Sequence, residues 1–130
     1  MSDFNNSLNV SASGLKAQAT RLRHLSENIS NADTPGYRRK TISFRTAFDA
    51  NRDVEMVETS KVHLDRRDLE RIYDPSHPMA DEDGYFEGSN VDLMIEIGDA
   101  REAQRSYEAN LKMFEMARKM SGGLMDLLRK

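Results

Sequence analysis

The chain has 130 residues, enough for one ordinary domain, and contains neither cysteine nor tryptophan. A formal net charge of −3 gives no electrostatic support for a general nucleic-acid or membrane-surface role, and the missing cysteines exclude disulfides, thiolate metal sites and thiol nucleophiles. With 38% hydrophobic and 32% charged residues and a mean hydropathy of −0.73, any core is lean.

The pattern predicts a helix from about Asn5 to Asn31. Leu8, Ala12, Leu15, Ala19, Leu22, Ser26 and Ile29 recur at four- and three-residue steps and share one face. Ser2, Asp3, Asn5 and Asn6 are candidate caps at its start, and Asn31 is the candidate left-handed cap at its end. Pro35 pushes Thr34 out of helical geometry, and Pro35-Gly36 has the corner residues of a type II turn. From Tyr37 to Asp49 the period falls to two, with Ile42, Phe44 and Phe48 on one side and Thr41, Ser43 and Arg45 on the wet one. Val54 with Met56, and Val62 with Leu64, are weaker strand candidates. The segment from Asp65 to Tyr73 is left unassigned. Asp74-Pro75-Ser76-His77-Pro78 and Asp81-Glu82-Asp83-Gly84 are turns.

A second helix is expected from Val91 to Leu128, capped by Asn90, with a break at Gly122-Gly123. Ile97, Ala100, Ala103, Tyr107, Leu111, Phe114, Ala117, Leu124 and Leu128 form its stripe. The expected fold is therefore mainly α: two long terminal helices, able to pack together or against other copies, flank a small irregular or β central segment. Residues 1–36 carry the first helix and turn, 37–89 the central segment, and 90–130 the second helix. No run approaches ~20 apolar residues, so no transmembrane helix is expected. The first thirty residues lack a basic region followed by an apolar core, so no conventional signal peptide is expected either.

Motifs for chemistry are absent. Asp81-x-Asp83-Gly84 fails as a calcium loop, because Met79 and Asn90 would fall at the first and last ligand positions. His24, His63 and His77 are scattered and read as surface residues, so no metal site is expected. Arg38-Arg39-Lys40 reads as a solvated strand edge. No phosphate loop or catalytic triad pattern occurs, so neither cofactor nor small-molecule substrate is expected.

The two stripes are thus the informative feature. A fully buried Leu or Phe gains about 1.5–3 kcal/mol. Ordering each residue costs on the order of 1–2 kcal/mol of backbone entropy. A helix pair buries one side of each member, and alanines occupy alternate seam positions. The lone pair is marginal and needs neighbours, so association rather than turnover is the expected chemistry. Leu8, Leu15, Leu22 and Ile29 should pack with Tyr107, Leu111, Phe114 and Leu124, within or between subunits.

Two longer runs are specific. Ala12-Ser13-Gly14-Leu15-Lys16-Ala17-Gln18, Arg21-Leu22 and Asn28-Ile29-Ser30-Asn31-Ala32-Asp33-Thr34-Pro35-Gly36-Tyr37 resemble the N-terminal signature of bacterial flagellar axial proteins of the rod and hook family. Asn90-Val91-Asp92 and Ala103-x-Arg105-Ser106-Tyr107-Glu108-Ala109-Asn110 resemble the matching C-terminal signature. Tyr73-Asp74-Pro75-x-His77-Pro78-x-Ala80-Asp81-x-x-Gly84-Tyr85 resembles a segment of the proximal-rod members. Phe86-Glu87-Gly88-Ser89 departs from the Val and Pro often found there.

The resemblance implies a non-enzymatic structural subunit of the rod, its two long terminal helices pairing as an antiparallel coiled-coil-like unit and its copies assembled helically to transmit torque. It implies export by the flagellar type III apparatus without a cleaved signal peptide, and a place in the basal body across the periplasm. Implied partners are the rod subunits FlgB, FlgF and FlgG, the rod-base adaptor FliE and the export gate. Asn28, Asn31, Thr34, Pro35, Gly36 and Tyr37 would form the family's motif turn. Phe4-x-x-x-Leu8 resembles the export-gate recognition element, while a plain helix-face reading of the same two residues competes with it. The alternative function is a soluble helical adaptor or binding module of another secretion system.

Overall fold

A computed structural model describes residues 2–129. Helix α1 spans Ser2–Ser30 and helix α2 spans Leu93–Arg129, about 43 and 55 Å long. Six short strands lie between them: β1 Lys40–Thr41, β2 Phe44–Asp49, β3 Val54–Thr59, β4 His63–Leu64, β5 Arg71–Tyr73 and β6 Tyr85–Glu87. This is the expected mainly α architecture.

The helices run antiparallel. Asn28 near the end of α1 bonds Glu96 near the start of α2, and Phe4 and Ser7 sit beside Ala117 and Met120. At mid-length Gly14 meets Asn110; a Cβ on Gly14 would lie 3.1 Å from the Asn110 amide nitrogen, so a side chain there would require the Asn110 side chain to give way by a few tenths of an ångström. Antiparallel pairing of unequal helices leaves the last turns of α2 beyond the start of α1, and Leu127 and Leu128 there are exposed.

The central segment folds as two hairpins. The longer one pairs β2 with β3, Phe44 opposite Thr59 and Asp49 opposite Val54, and continues after a break as β1 with β4. The shorter pairs β5 with β6, Arg71 opposite Glu87. The β2–β3 arm lies against α1, where Ser13 Oγ accepts the Val57 N–H. A type II turn follows α1 as expected: Tyr37 N donates to Thr34 O, and Gly36 holds φ at 75°.

Several expectations fail for physical reasons. Helix α1 opens at Ser2, so Asp3, Asn5 and Asn6 lie inside its first turns instead of capping it; the side chain of Ser2 lies outside the described ones. Asn31 does not enter the left-handed region; its amide folds back and donates to Glu27 O at 2.8 Å. Asp92, not Asn90, caps α2, accepting the Met94 N–H at 3.0 Å. Helix α2 passes unbroken through Gly122-Gly123. The intended dry side of β2 is wet: Phe44 and Phe48 are 38% and 61% exposed, and Phe48 lines an open cleft of about 680 Å³ between β2, β3 and α1. The segment left unassigned contributes β5. His24 is buried instead of lying at the surface, and Ile97 and Leu128 are exposed members of the α2 stripe.

Among the described residues the buried hydrophobic side chains are Ala17, Leu25, Ala103 and Ala117. Such a seam contributes little burial per residue. In dilute protein, amide exchange should therefore be slowest in α2 around Ala103 and nearly unprotected beyond Gly123. Uniform strong protection from Leu93 to Arg129 would contradict this.

Candidate functional site

The leucines chosen from sequence do not form the centre of the helix seam. Ser7, Gly14, Arg21 and Asn28 lie at seven-residue steps on α1 and face α2. Leu8, Leu15, Leu22 and Ile29 each follow one of these by a single residue, hence about 100° round the helix. All four are half-buried flanks that keep part of their apolar surface open. On α2, Ala103 and Ala117 are buried, and Tyr107, Leu111, Phe114 and Leu124 are half-buried on the same face. Phe4 is half-buried on the wall of a cavity of about 370 Å³ shared with Ser7, Met113, Met116, Ala117 and Met120.

The most constrained cluster lies where both helices meet the central segment. Asn28 and Glu96 are fully buried. Asn28 uses its whole amide. Its Nδ2 donates to Lys40 O at 2.9 Å and to Glu96 Oε2 at 3.2 Å. Its Oδ1 accepts the Lys40 N–H at 2.9 Å and the Tyr37 hydroxyl at 2.8 Å. Burial pushes the Tyr37 phenol above its ordinary range, which keeps it protonated and donating.

The other Glu96 oxygen accepts the Arg39 Nε–H. The same guanidinium lies 3.5 Å from Asp99 and 3.8 Å from Asp65. The backbone follows suit: Arg39 N donates to Asn90 Oδ1 at 2.7 Å, and Asp65 N donates to Arg39 O at 2.8 Å. Asn90 Nδ2 donates to Asp65 O and Arg67 O. Gly36 N reaches Glu87 O and Gly88 O, and Ser89 Oγ donates to Ala32 O. One polar knot thus ties the N-terminal helix and turn, the central segment and α2 together.

Sequence reasoning missed its centre. Arg39 is a largely buried ion-pair partner, not a solvated edge residue. Its neighbours behave similarly: Arg38 Nη1 donates to Asp65 O and Arg67 O, and Lys40 pairs with Glu27 at 2.7 Å. A signal existed in Glu96, which stands seven residues before Ala103 and so falls on the apolar stripe of α2. Of the motif-turn residues, Asn28 and Tyr37 enter the knot, Gly36 ties the turn to the second hairpin, and Asn31 and Thr34 bond each other at 3.1 Å. Pro35 supplies the turn's fixed corner. No group of three or more His, Asp or Glu side chains able to hold a metal occurs among the described residues. Asp81, the residue of the rejected calcium loop, caps its own turn by accepting the Asp83 and Tyr85 N–H groups.

This helix–hairpins–helix frame, closed by residues of both terminal signatures, is that of a flagellar axial subunit. Residues 8–38 match the family described as flagella basal body rod protein, and residues 82–127 match the one described as flagellar basal body rod FlgEFG protein C-terminal. Over 127 residues the chain is 45% identical to the flagellar basal-body rod protein FlgC of Agrobacterium fabrum, covering 92% of this chain and 91% of that one. It is 36% identical to FlgC of Bacillus subtilis, covering 81% and 85%, and 34% identical to FlgC of Aquifex aeolicus, covering 92% and 93%. The chain belongs to the FlgC family of flagellar basal-body rod proteins.

Arg39→Ala leaves the Glu96 carboxylate buried without its cation, which should cost about 3–5 kcal/mol in urea unfolding. Arg45→Ala, which breaks the exposed pair with Glu58, should cost no more than about 1 kcal/mol. Equal losses would contradict the knot. Hydrogen bonds from the Arg67 side chain and backbone N–H, with Arg39 nearby, hold the Asp65 carboxyl below its ordinary range. A carboxylate depressed by folding stabilises fully above its unfolded-state pKa and loses that contribution as pH falls through its folded-state value. Wild-type stability should therefore drop more steeply below about pH 4 than that of Asp65→Asn, as read by urea midpoints across an acid series.

Proposed function

We propose that this protein is a structural subunit of the flagellar rod, placed in its proximal part, and that it works by helical packing with no catalytic step. The observation that carries this is a mismatch of surfaces. The buried hydrophobic set is small, while Met94, Ile95, Met113, Met116, Met120, Leu127 and Leu128 stand exposed along α2. Met113, Met116 and Met120 recur at three- and four-residue steps and form one exposed apolar stripe, of the kind that marks a protein-binding face. Different faces meeting head to tail generate a helical array in place of a closed dimer.

On this reading the flanking residues Leu8, Leu15, Leu22 and Ile29 meet neighbouring subunits, as do Tyr107, Leu111, Phe114 and Leu124 where they leave the intramolecular seam. The neighbours are FlgB, FlgF, FlgG and the adaptor FliE. The chain reaches them through the type III export gate, without a cleaved signal, and takes its place in the rod across the periplasm. A lean seam and the absence of cysteine suit passage through a channel in an extended state. Phe4 and Leu8 are the proposed export-gate contact. Torque then passes through many packed side chains.

Leu22→Asp tests the packing scheme. Leu22 is only half-buried, so the purified variant should keep its helical signal and its expression. It should be missing from isolated basal bodies, and cells relying on it should not swim. Incorporation at wild-type levels would sink the reading.

A further inference from the structure

The seam has an unusual property. Its facing positions repeat every seven residues, Ser7, Gly14, Arg21 and Asn28 on α1 against Glu96, Ala103, Asn110 and Ala117 on α2. Half of these side chains, Ser7, Gly14, Ala103 and Ala117, are small. Sliding one helix by a heptad, about 10 Å, would put Gly14 against Ala117 or Ala103. Either contact is as easily packed as Gly14 against Asn110, so the small-residue contacts select no register by themselves.

The polar knot does select one. Slid by a heptad toward the C-terminus of α2, Asn28 would face Ala103, and Glu96 would be buried with neither its amide nor its guanidinium partner. An uncompensated buried charge is strongly disfavoured. Arg39 adds a second constraint, because its backbone is fixed to Asn90 and Asp65 while its side chain reaches Glu96 and Asp99. The guanidinium therefore measures the position of α2 against the central segment, and Asn28 measures α1 against α2. A single polar residue in an otherwise apolar helix seam is known to fix register at some cost in stability.

We infer that the Asn28–Glu96–Arg39 knot is a register lock: it sets the axial alignment of the two terminal helices, which their small-residue seam leaves free to slip. The lock belongs to the single chain and stands whether or not the chain builds a rod. Its consequence is positional. A heptad slip would displace the open leucine flank of α1 against the exposed methionine face of α2 by about 10 Å.

The absence of cysteine makes register directly readable. Three double-cysteine variants of the full chain are oxidised in dilute solution: Gly14→Cys with Asn110→Cys for the locked register, and Gly14→Cys with Ala103→Cys or Ala117→Cys for the slipped ones. In an otherwise wild-type chain only the first should cross-link. The lock is then removed in two ways: Glu96→Leu with Arg39→Met, or Glu96→Leu alone, which leaves Arg39 the carboxylates of Asp65 and Asp99. In either background the chain should stay helical by circular dichroism, while one or both slipped pairs rise from background to a yield comparable with the first. Exclusive cross-linking of the 14–110 pair in a helical lock-free variant would overturn the inference, since the seam or the hairpins would then hold the register. Loss of helix in both backgrounds would also overturn it, because the knot would be a general source of stability. Failure of the 14–110 pair to form in the wild-type background would refute the locked alignment itself.

Discussion

Two helices that touch through glycine, serine and alanine approach closely and bury little apolar surface. That constraint shapes everything else here. Helices α1 and α2 are long, yet Ala17, Leu25, Ala103 and Ala117 are the hydrophobic side chains they bury. Close approach at Gly14 gains good van der Waals contact, but dispersion between small groups does not replace the burial of leucine and phenylalanine. The larger apolar residues sit on the flanks and on the outer face of α2, half-covered or open. The chain has the composition of a part whose remaining packing comes from elsewhere.

Against that thin seam, the polar knot matters more than its size suggests. A buried carboxylate, a buried amide and a guanidinium make one satisfied network, in which every Asn28 hydrogen-bonding group is used. Such networks add modestly to stability and a great deal to specificity, because misalignment leaves charges without partners. The knot also explains why sequence signatures from opposite ends of the chain belong together. The Asn28–Tyr37 run and the Asn90-Val91-Asp92 run meet around Arg39, which lies in neither.

Periodicity in the sequence was enough to reveal both helices and the turn at Pro35-Gly36, because four- and three-residue repeats and proline sterics are local signals; the antiparallel pairing came only with the family resemblance. On α1 the positions nearest α2 fall one residue before the leucines. Hydrophobicity pointed to Leu8, Leu15, Leu22 and Ile29, whereas steric closeness put Ser7, Gly14, Arg21 and Asn28 there. A reading that ranks side chains by greasiness overlooks an interface built from small ones. The knot was hidden for a different reason: Asn28, Arg39 and Glu96 are far apart in the chain, and a buried ion pair leaves no periodic trace. The short strands fared between these cases. Strand β2 was visible as alternation and β3 more weakly, but which side is wet depends on α1, and no local pattern encodes that. The family signatures, by contrast, were legible at once, since they are runs of particular residues.

If the terminal helices are completed by neighbours, the isolated chain should unfold easily. Thermal unfolding of dilute protein, followed by far-ultraviolet circular dichroism, should show a broad transition centred below about 45 °C, under the usual range for mesophilic domains. The same helices held in isolated basal bodies should survive well beyond it. A sharp, cooperative transition above that range in the dilute chain would contradict the view that the fold depends on assembly for its rigidity.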